Sequence, residues 1–350
     1  MKIRRLLNFS PAAGIGIGAG AAAAILFSLA GRGTLFAAAL ANLSPLPIMI
    51  AMLGFGLVAG ASAVVSATLT VALLFYAQQK YGYVDAAALA GLTFAFFIGL
   101  PALWFSLLSI LSRAKGSPNW VVTTKVGSFF TREYCPLERV LSYAASISAT
   151  IGVAIAISIM TLYGGFDHAL EKLTAEIVPV LEPFFSRVRL PPGVDAQYLA
   201  KTFVLAAAPA AAGGSLVMMM LNLWFAGRVV QFSGQLPRPW PDIARELRLQ
   251  RNYLLVFGVA CVIGPYFGRL TGLIVITIAA TIGVAFALVG LAVAHYLTRG
   301  LSYRIPLLIL IYLLLVITWP LSLLALVLIG VLETAFSLRD RKAKSTSLKK

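Results

Sequence analysis

Leu270–Leu297 reads LTGLIVITIAATIGVAFALVGLAVAHYL, without a single Asp, Glu, Lys or Arg. About 20 consecutive apolar residues in a helix cross a hydrocarbon core of roughly 30 Å, and this run supplies them. Its apolar positions are continuous, whereas barrel strands alternate apolar and polar residues in segments of about 10. A helix also satisfies its own backbone hydrogen bonds, which lipid cannot do for it. The run is therefore a membrane-spanning helix. Similar runs recur at Ala12–Ala30, Thr34–Leu57, Ala59–Ala77, Ala86–Leu111, Leu141–Tyr163, Phe203–Gly227, Tyr253–Phe267 and Ile305–Phe336.

Composition agrees. Of the 350 residues, 60% are apolar and 11% charged, and the mean hydropathy is +0.92. Soluble domains carry roughly 25% charged residues, so lipid is the main solvent of this chain. The expected fold is all-α, a polytopic transmembrane helix bundle in which residues 1–350 form a single integral membrane domain. The opening MKIRRLLNFSPAAGIGIGAGAAAAILFSLAG imitates a signal peptide, with Ser28-Leu29-Ala30 as its small-residue site. Further apolar segments follow at once, so a retained first span is expected. Gly14, Gly16, Gly18 and Gly20 would let neighbouring helices approach closely.

A net charge of +16 would suggest nucleic acid in a soluble protein. Here the 28 Lys and Arg lie at the borders of apolar segments, mostly at every second border. This is the positive-inside bias of membrane topology, and it argues against a nucleic-acid partner. Residues 113–139 and 228–251 read as basic cytoplasmic loops, and 338–350 as a basic cytoplasmic tail. The insertion 164–202 holds Asp167, Glu171, Glu176, Glu182 and Asp195. Leu170, Leu173, Ile177, Leu181 and Phe184 recur there at helical steps, predicting an external amphipathic helix that Pro179 and Pro183 bend or end. Ile305–Phe336 is too long for one upright crossing, and Trp319-Pro320 falls near its middle, which predicts two short helices. An even span count keeps the tail on the basic side, so eight to ten crossings are expected, with both termini cytoplasmic.

Ionisable groups are nearly absent from the spans. His295 and Glu333 lie near span ends and Arg269 between spans. Charged groups deep in a membrane mark ion pathways and proton relays, so a pump or voltage sensor is disfavoured. There is no HExxH, no Walker motif and no carboxylate pair spaced for acid–base work, so neither an enzyme nor a cofactor is expected. Cys135 and Cys261 form no disulfide or metal pattern.

Two polar constellations remain. Asn42, Ser44, Pro45 and Pro47 interrupt the second apolar run. Proline removes a backbone donor and disfavours helix at the residue before it. A broken or re-entrant segment near Pro45–Pro47 frees backbone groups that transporters use to hold substrates, and the competing reading is a simple turn. Asn222, followed by Trp224 and Arg228, either binds substrate or hydrogen-bonds a neighbouring helix. Asn42, Ser44 and Asn222 are therefore candidate substrate-binding residues. The rigid stretch Ser233–Asp242 carries Arg238 and Trp240, candidates for contact with a partner, although Trp at a membrane border is ordinarily an anchor.

At these residues the chain resembles a known group. Asn42-Leu-Ser-Pro45-Leu-Pro47 with Gly54 looks like the early signature of the YybS-like bacterial membrane proteins, the domain of unknown function 2232. Asn222-Leu-Trp224-Phe-Ala-Gly227-Arg228, Ser233-Gly234 and Arg238-Pro239-Trp240-Pro241-Asp242 are similar to the central motif of its alphaproteobacterial branch. Trp319-Pro320, Gly330-Val-Leu-Glu333 and Ser337-Leu-Arg339 look like the last helix of that branch. There an Asp commonly stands at Glu333, and an aromatic-plus-Asp pair stands at Ser337 and Leu338. The resemblance implies a multi-pass protein of the bacterial inner membrane, grouped loosely with the substrate-binding subunits of energy-coupling-factor transporters. Such subunits bind a vitamin-like small molecule and depend on a separate ATPase partner. The expected function is thus a small-molecule binding or transport component. The alternative is a membrane scaffold or assembly factor working through its cytoplasmic loops.

Overall fold

The computed structural model describes residues 11–78, 83–114, 117–122, 132–185 and 194–347. The basic head before residue 11, parts of the first basic loop and of the 164–202 insertion, and the last three residues of the tail lie outside them. The order is α1 (Pro11–Ser28), α2 (Leu35–Ala41), α3 (Pro45–Phe55), α4 (Leu57–Gln78), α5 (Val84–Phe94) and α6 (Leu100–Ile110). Then come β1 (Leu111–Ala114), β2 (Val121–Val122), β3 (Arg132–Tyr134), α7 (Leu137–Leu162), α8 (Phe166–Phe185) and α9 (Ala196–Phe232). The chain continues through α10 (Ile243–Glu246), α11 (Asn252–Ile263), α12 (Arg269–Leu297), α13 (Arg304–Ile317), α14 (Leu321–Phe336) and α15 (Leu338–Ser347).

Among the described residues, 7 helical segments are long and apolar enough to cross a membrane: Pro11–Arg32, Leu35–Phe55, Leu57–Gln78, Val84–Ile110, Leu137–Leu162, Ala196–Phe232 and Arg269–Leu297. Asn252–Tyr266, Arg304–Ile317 and Leu321–Phe336 are shorter apolar helices. The protein is a helical membrane bundle. The last apolar stretch is split at Trp319-Pro320, as the proline there requires.

Three local features differ from the expectation. The basic stretch 113–139 contributes to a small antiparallel sheet of order β2-β1-β3, with Ser112 opposite both Val121 and Tyr134. Helix α8 runs through Pro179 and Pro183, so of the bend or end expected there the end does not occur. The two prolines are four residues apart, so both missing donors fall on one helix face and the other face keeps its ladder. Helix α9 extends well beyond the apolar run at both ends and carries Pro209 inside it. Within Val84–Ile110 the turn Ala95–Gly99 is π-helical and ends two residues before Pro101. A proline ring crowds the carbonyl four residues back, and a widened turn there relieves it.

The helices gather into two compact units, the first made of Met1–Val140 and Met218–Asp242, the second of Leu141–Val217 and Ile243–Lys350. In the first, α1 lies along α4, and α3 packs on α1, α4 and α6. Gly16 and Gly20 sit against the α4 backbone at Ala59 and Ala63, whereas a Cβ at Gly14 or Gly18 would meet nothing within 4 Å. Of the four N-terminal glycines, two thus form the close crossing and two face outward. Gly20→Ala is expected to destabilise by about 1–3 kcal/mol through overpacking, while Gly18→Ala leaves the melting temperature of the purified protein unchanged or raises it. Gly56 has φ 85°, a left-handed conformation that lets α3 turn into α4 with almost no loop.

In the second unit α12 is the central helix, packed by α10, α11, α14 and α15. Ala285, Phe286, Val289 and Val293 are fully buried along it. The start of α8 is docked where Ala156, Met160, Ala169 and Leu273 form an apolar cluster.

Candidate functional site

The proline pair decides the geometry of the broken second segment. Pro45 and Pro47 have no N–H, so the chain at 42–46 closes on tighter bonds, Ser44 N to Ala41 O (3.1 Å) and Leu46 N to Leu43 O (3.0 Å). In a regular helix Leu46 N would reach Asn42 O. That carbonyl is therefore released, and the Asn222 amide of α9 donates to it at 2.8 Å. Asn222 Nδ2 also donates to Met218 O at 2.8 Å. The two polar constellations, 180 residues apart in sequence, form one node inside the first unit.

Within this node Asn42 is exposed, and its own side chain donates to Ala38 O at 3.0 Å. Ser44 is 0% and Asn222 1% exposed. Ser44 Oγ and Asn222 Oδ1 have no hydrogen-bond partner among the described residues. Asn222 thus does what an amide in a membrane helix commonly does, bonding the neighbouring helix. Asn222→Ala is expected to lower stability by about 0.6–2 kcal/mol. Asn42→Ala keeps the accepting carbonyl and should be close to neutral in the same thermal melt.

A cavity lies elsewhere in the first unit. It has a volume of about 510 Å³ and is bounded by the end of α1 and its following turn (Ala24, Phe27, Gly31), by α4 (Val71, Leu74) and by α5 (Ala90). Asn42, Ser44 and Asn222 are not among its lining residues. Ser28 and Thr93 also line it, but their hydroxyls donate to Ile25 O and Leu89 O of their own helices, at 2.7 Å each. The walls are therefore apolar, and Gln78 supplies an exposed amide at the edge.

Arg238 and Trp240, read from sequence as contacts for a partner, are turned inward. Arg238 is 7% exposed, and its Nη1 donates to Ser109 O (2.7 Å) and Cys135 O (3.4 Å). Ser109 lies in the last turn of α6, where carbonyls lack helical partners and a cation is favoured. The guanidinium also stacks over the Tyr134 ring at 4.7 Å. Trp240 packs its indole onto α9 at Gly227, where any Cβ would collide with the ring. Its Nε1 is buried without a hydrogen-bond partner among the described residues. Burial pushes the Cys135 thiol above its ordinary pKa, against the opposing pull of Arg139 and Arg238.

Sequence reading missed a second buried arginine. Arg339 and Glu333 are 1% and 2% exposed and pair at 2.8 Å from Nε to Oε1. Ser337 takes a left-handed turn (φ 51°) that brings Arg339 back over Glu333. The rest of the guanidinium donates to Ala244 O, Arg245 O and Leu247 O at 2.8, 3.1 and 2.7 Å. The sequence singles out Glu333 and Arg339 but not their burial as a pair, because the arginine opens a charged tail and its carbonyl partners are far away in the chain. Among the described residues no group of His, Cys, Asp and Glu is placed to hold a metal ion.

No family model matches the sequence, and neither a curated protein nor a solved structure matches it.

Proposed function

We propose that this chain is a membrane-embedded binding or transport component for a small, largely apolar molecule, held in the cavity between α1, α4 and α5. The cavity carries this reading. Its volume of about 510 Å³ falls in the range of roughly 300–1,000 Å³ usual for small-molecule sites, which are mostly apolar with a few orienting polar groups. Gln78 is the side chain placed to orient a polar end of the ligand. The Asn42–Ser44–Asn222 node is then the joint that fixes the broken helix beside the ligand-binding helices of the same unit.

The motif order argues for kinship with the YybS-like proteins, and that reading stands on the residues alone. It would place the chain in a bacterial inner membrane, with ten crossings and both termini cytoplasmic. Energy for transport would come from a separate ATPase partner, as in energy-coupling-factor systems. The alternative is a scaffold. It is favoured by the way Arg238 pins the stretch 233–242, which gives that stretch a fixed surface made by residues other than Arg238 and Trp240.

Native mass spectrometry of the purified protein tests the proposal. The wild type should carry a discrete small molecule, and Ala90→Trp, which fills the cavity, should reduce its occupancy by about tenfold or more. Co-purification of large protein partners alone, with no small molecule in either variant, would favour the scaffold.

A further inference from the structure

We infer that one end of the second unit is a docking collar for the headgroups of anionic phospholipids, assembled from three chain segments. Arg339 ties the α15 start to the carbonyls of Ala244, Arg245 and Leu247. Arg248 grips both oxygens of Asp340 at 3.0 and 2.6 Å. Lys342 donates to Leu297 O at the end of α12. The stretches 243–251 and 338–342 therefore meet beside the end of α12, from which 298–304 continues.

Each segment brings cations to that place. Arg245, Arg251, Arg299 and Arg341 are exposed. Arg304 is half-buried, and its Nε is a buried donor with no partner among the described residues. The nearby acids are mostly neutralised, because Glu333 is bound by Arg339 and Asp340 by Arg248. Glu246 is the further acid in these segments. The collar therefore keeps a positive excess, since its Arg and Lys outnumber Glu246, Asp340 and Glu333.

Its position selects the partner. The apolar helices α12 and α14 end here, at Leu297 and Phe336, so the collar stands at the membrane border. The headgroup layer lies within a Debye length of about 8–10 Å. Guanidinium groups bind phosphate oxygens in a two-pronged geometry that a zwitterionic headgroup matches less well, because its own cation repels them. Clusters of Lys and Arg directly beside a transmembrane helix attract anionic lipid in this way. The Arg299 guanidinium lies over Tyr296 at 5.7 Å, an arrangement suited to the interface.

The test is lipid retention by native mass spectrometry, after titrating the full-length protein with phosphatidylglycerol or phosphatidylcholine. The wild type should retain phosphatidylglycerol about tenfold better, with the preference falling at high salt. A variant with Arg245, Arg251, Arg299 and Arg341 each changed to Gln should lose it. A control with Arg32, Lys172, Lys201 and Arg228 each changed to Gln has the same net charge and should keep it. If the fourfold collar variant does not fold, Arg251→Gln and Arg341→Gln singly should each weaken the preference about two- to threefold. Equal retention of both lipids overturns the inference, as does equal loss in collar and control variants. So does displacement of the lipid by millimolar free glycerol phosphate, which would show a site for a soluble phosphate.

Discussion

Arg339→Ala is expected to destabilise the second unit by about 3–5 kcal/mol, because it leaves the Glu333 carboxylate buried without its counter-charge. Glu333 is 2% exposed and receives two bonds from Arg339, one from Nε at 2.8 Å and one from the backbone N–H at 3.1 Å. The same substitution strips donors from three carbonyls of the 244–247 stretch. Replacing both partners by apolar residues, as in Glu333→Leu with Arg339→Met, should be milder than either single change, since no lone buried charge remains. Thermal melts of the four proteins of this double-mutant cycle decide the matter. A loss in the double variant equal to the sum of the two single losses would mean that the pair does not couple.

Gly290→Leu should be nearly as severe. Gly290 lies against the carbonyl of Leu326, and Gly330 against that of Phe286, so α12 and α14 touch backbone to backbone. A side chain at either glycine meets main chain, which cannot move aside by changing rotamer. The helices must separate, opening the packing around Phe286, which is fully buried. The expected loss exceeds the roughly 1–3 kcal/mol usual for overpacking. Gly258→Leu is the control, since nothing lies within 4 Å of a Cβ there. Size-exclusion profiles after graded heating should show early loss of the Gly290 and Gly330 variants, with the Gly258 variant melting like the wild type.

Hydropathy and proline made much of the architecture legible. The apolar runs became helices, the break at Pro45 and Pro47 is present, and Trp319-Pro320 divides the last stretch. These are local properties, written in consecutive residues. Burial of individual cations is not local. Arg238 and Arg339 sit in basic stretches that read as solvated borders, yet each is drawn inside by carbonyls that only the folded chain brings near. The joining of Asn42 to Asn222 is hidden for the same reason, although each residue stands out in the sequence by itself. The short sheet leaves no trace in the sequence because its strands are too brief to show an alternating pattern. The cavity is lined by residues such as Ala24, Leu74 and Ala90, which in sequence look like any other lipid-facing helix positions.

Photo-crosslinking in living cells tests most directly whether that cavity holds a ligand. A benzophenone amino acid placed at Leu74 lines the cavity. At Leu69, 65% exposed on the same helix, it samples bulk lipid. One adduct of defined mass is expected at Leu74, and a heterogeneous set of phospholipid adducts at Leu69. The same phospholipid mixture at both positions would contradict the proposal.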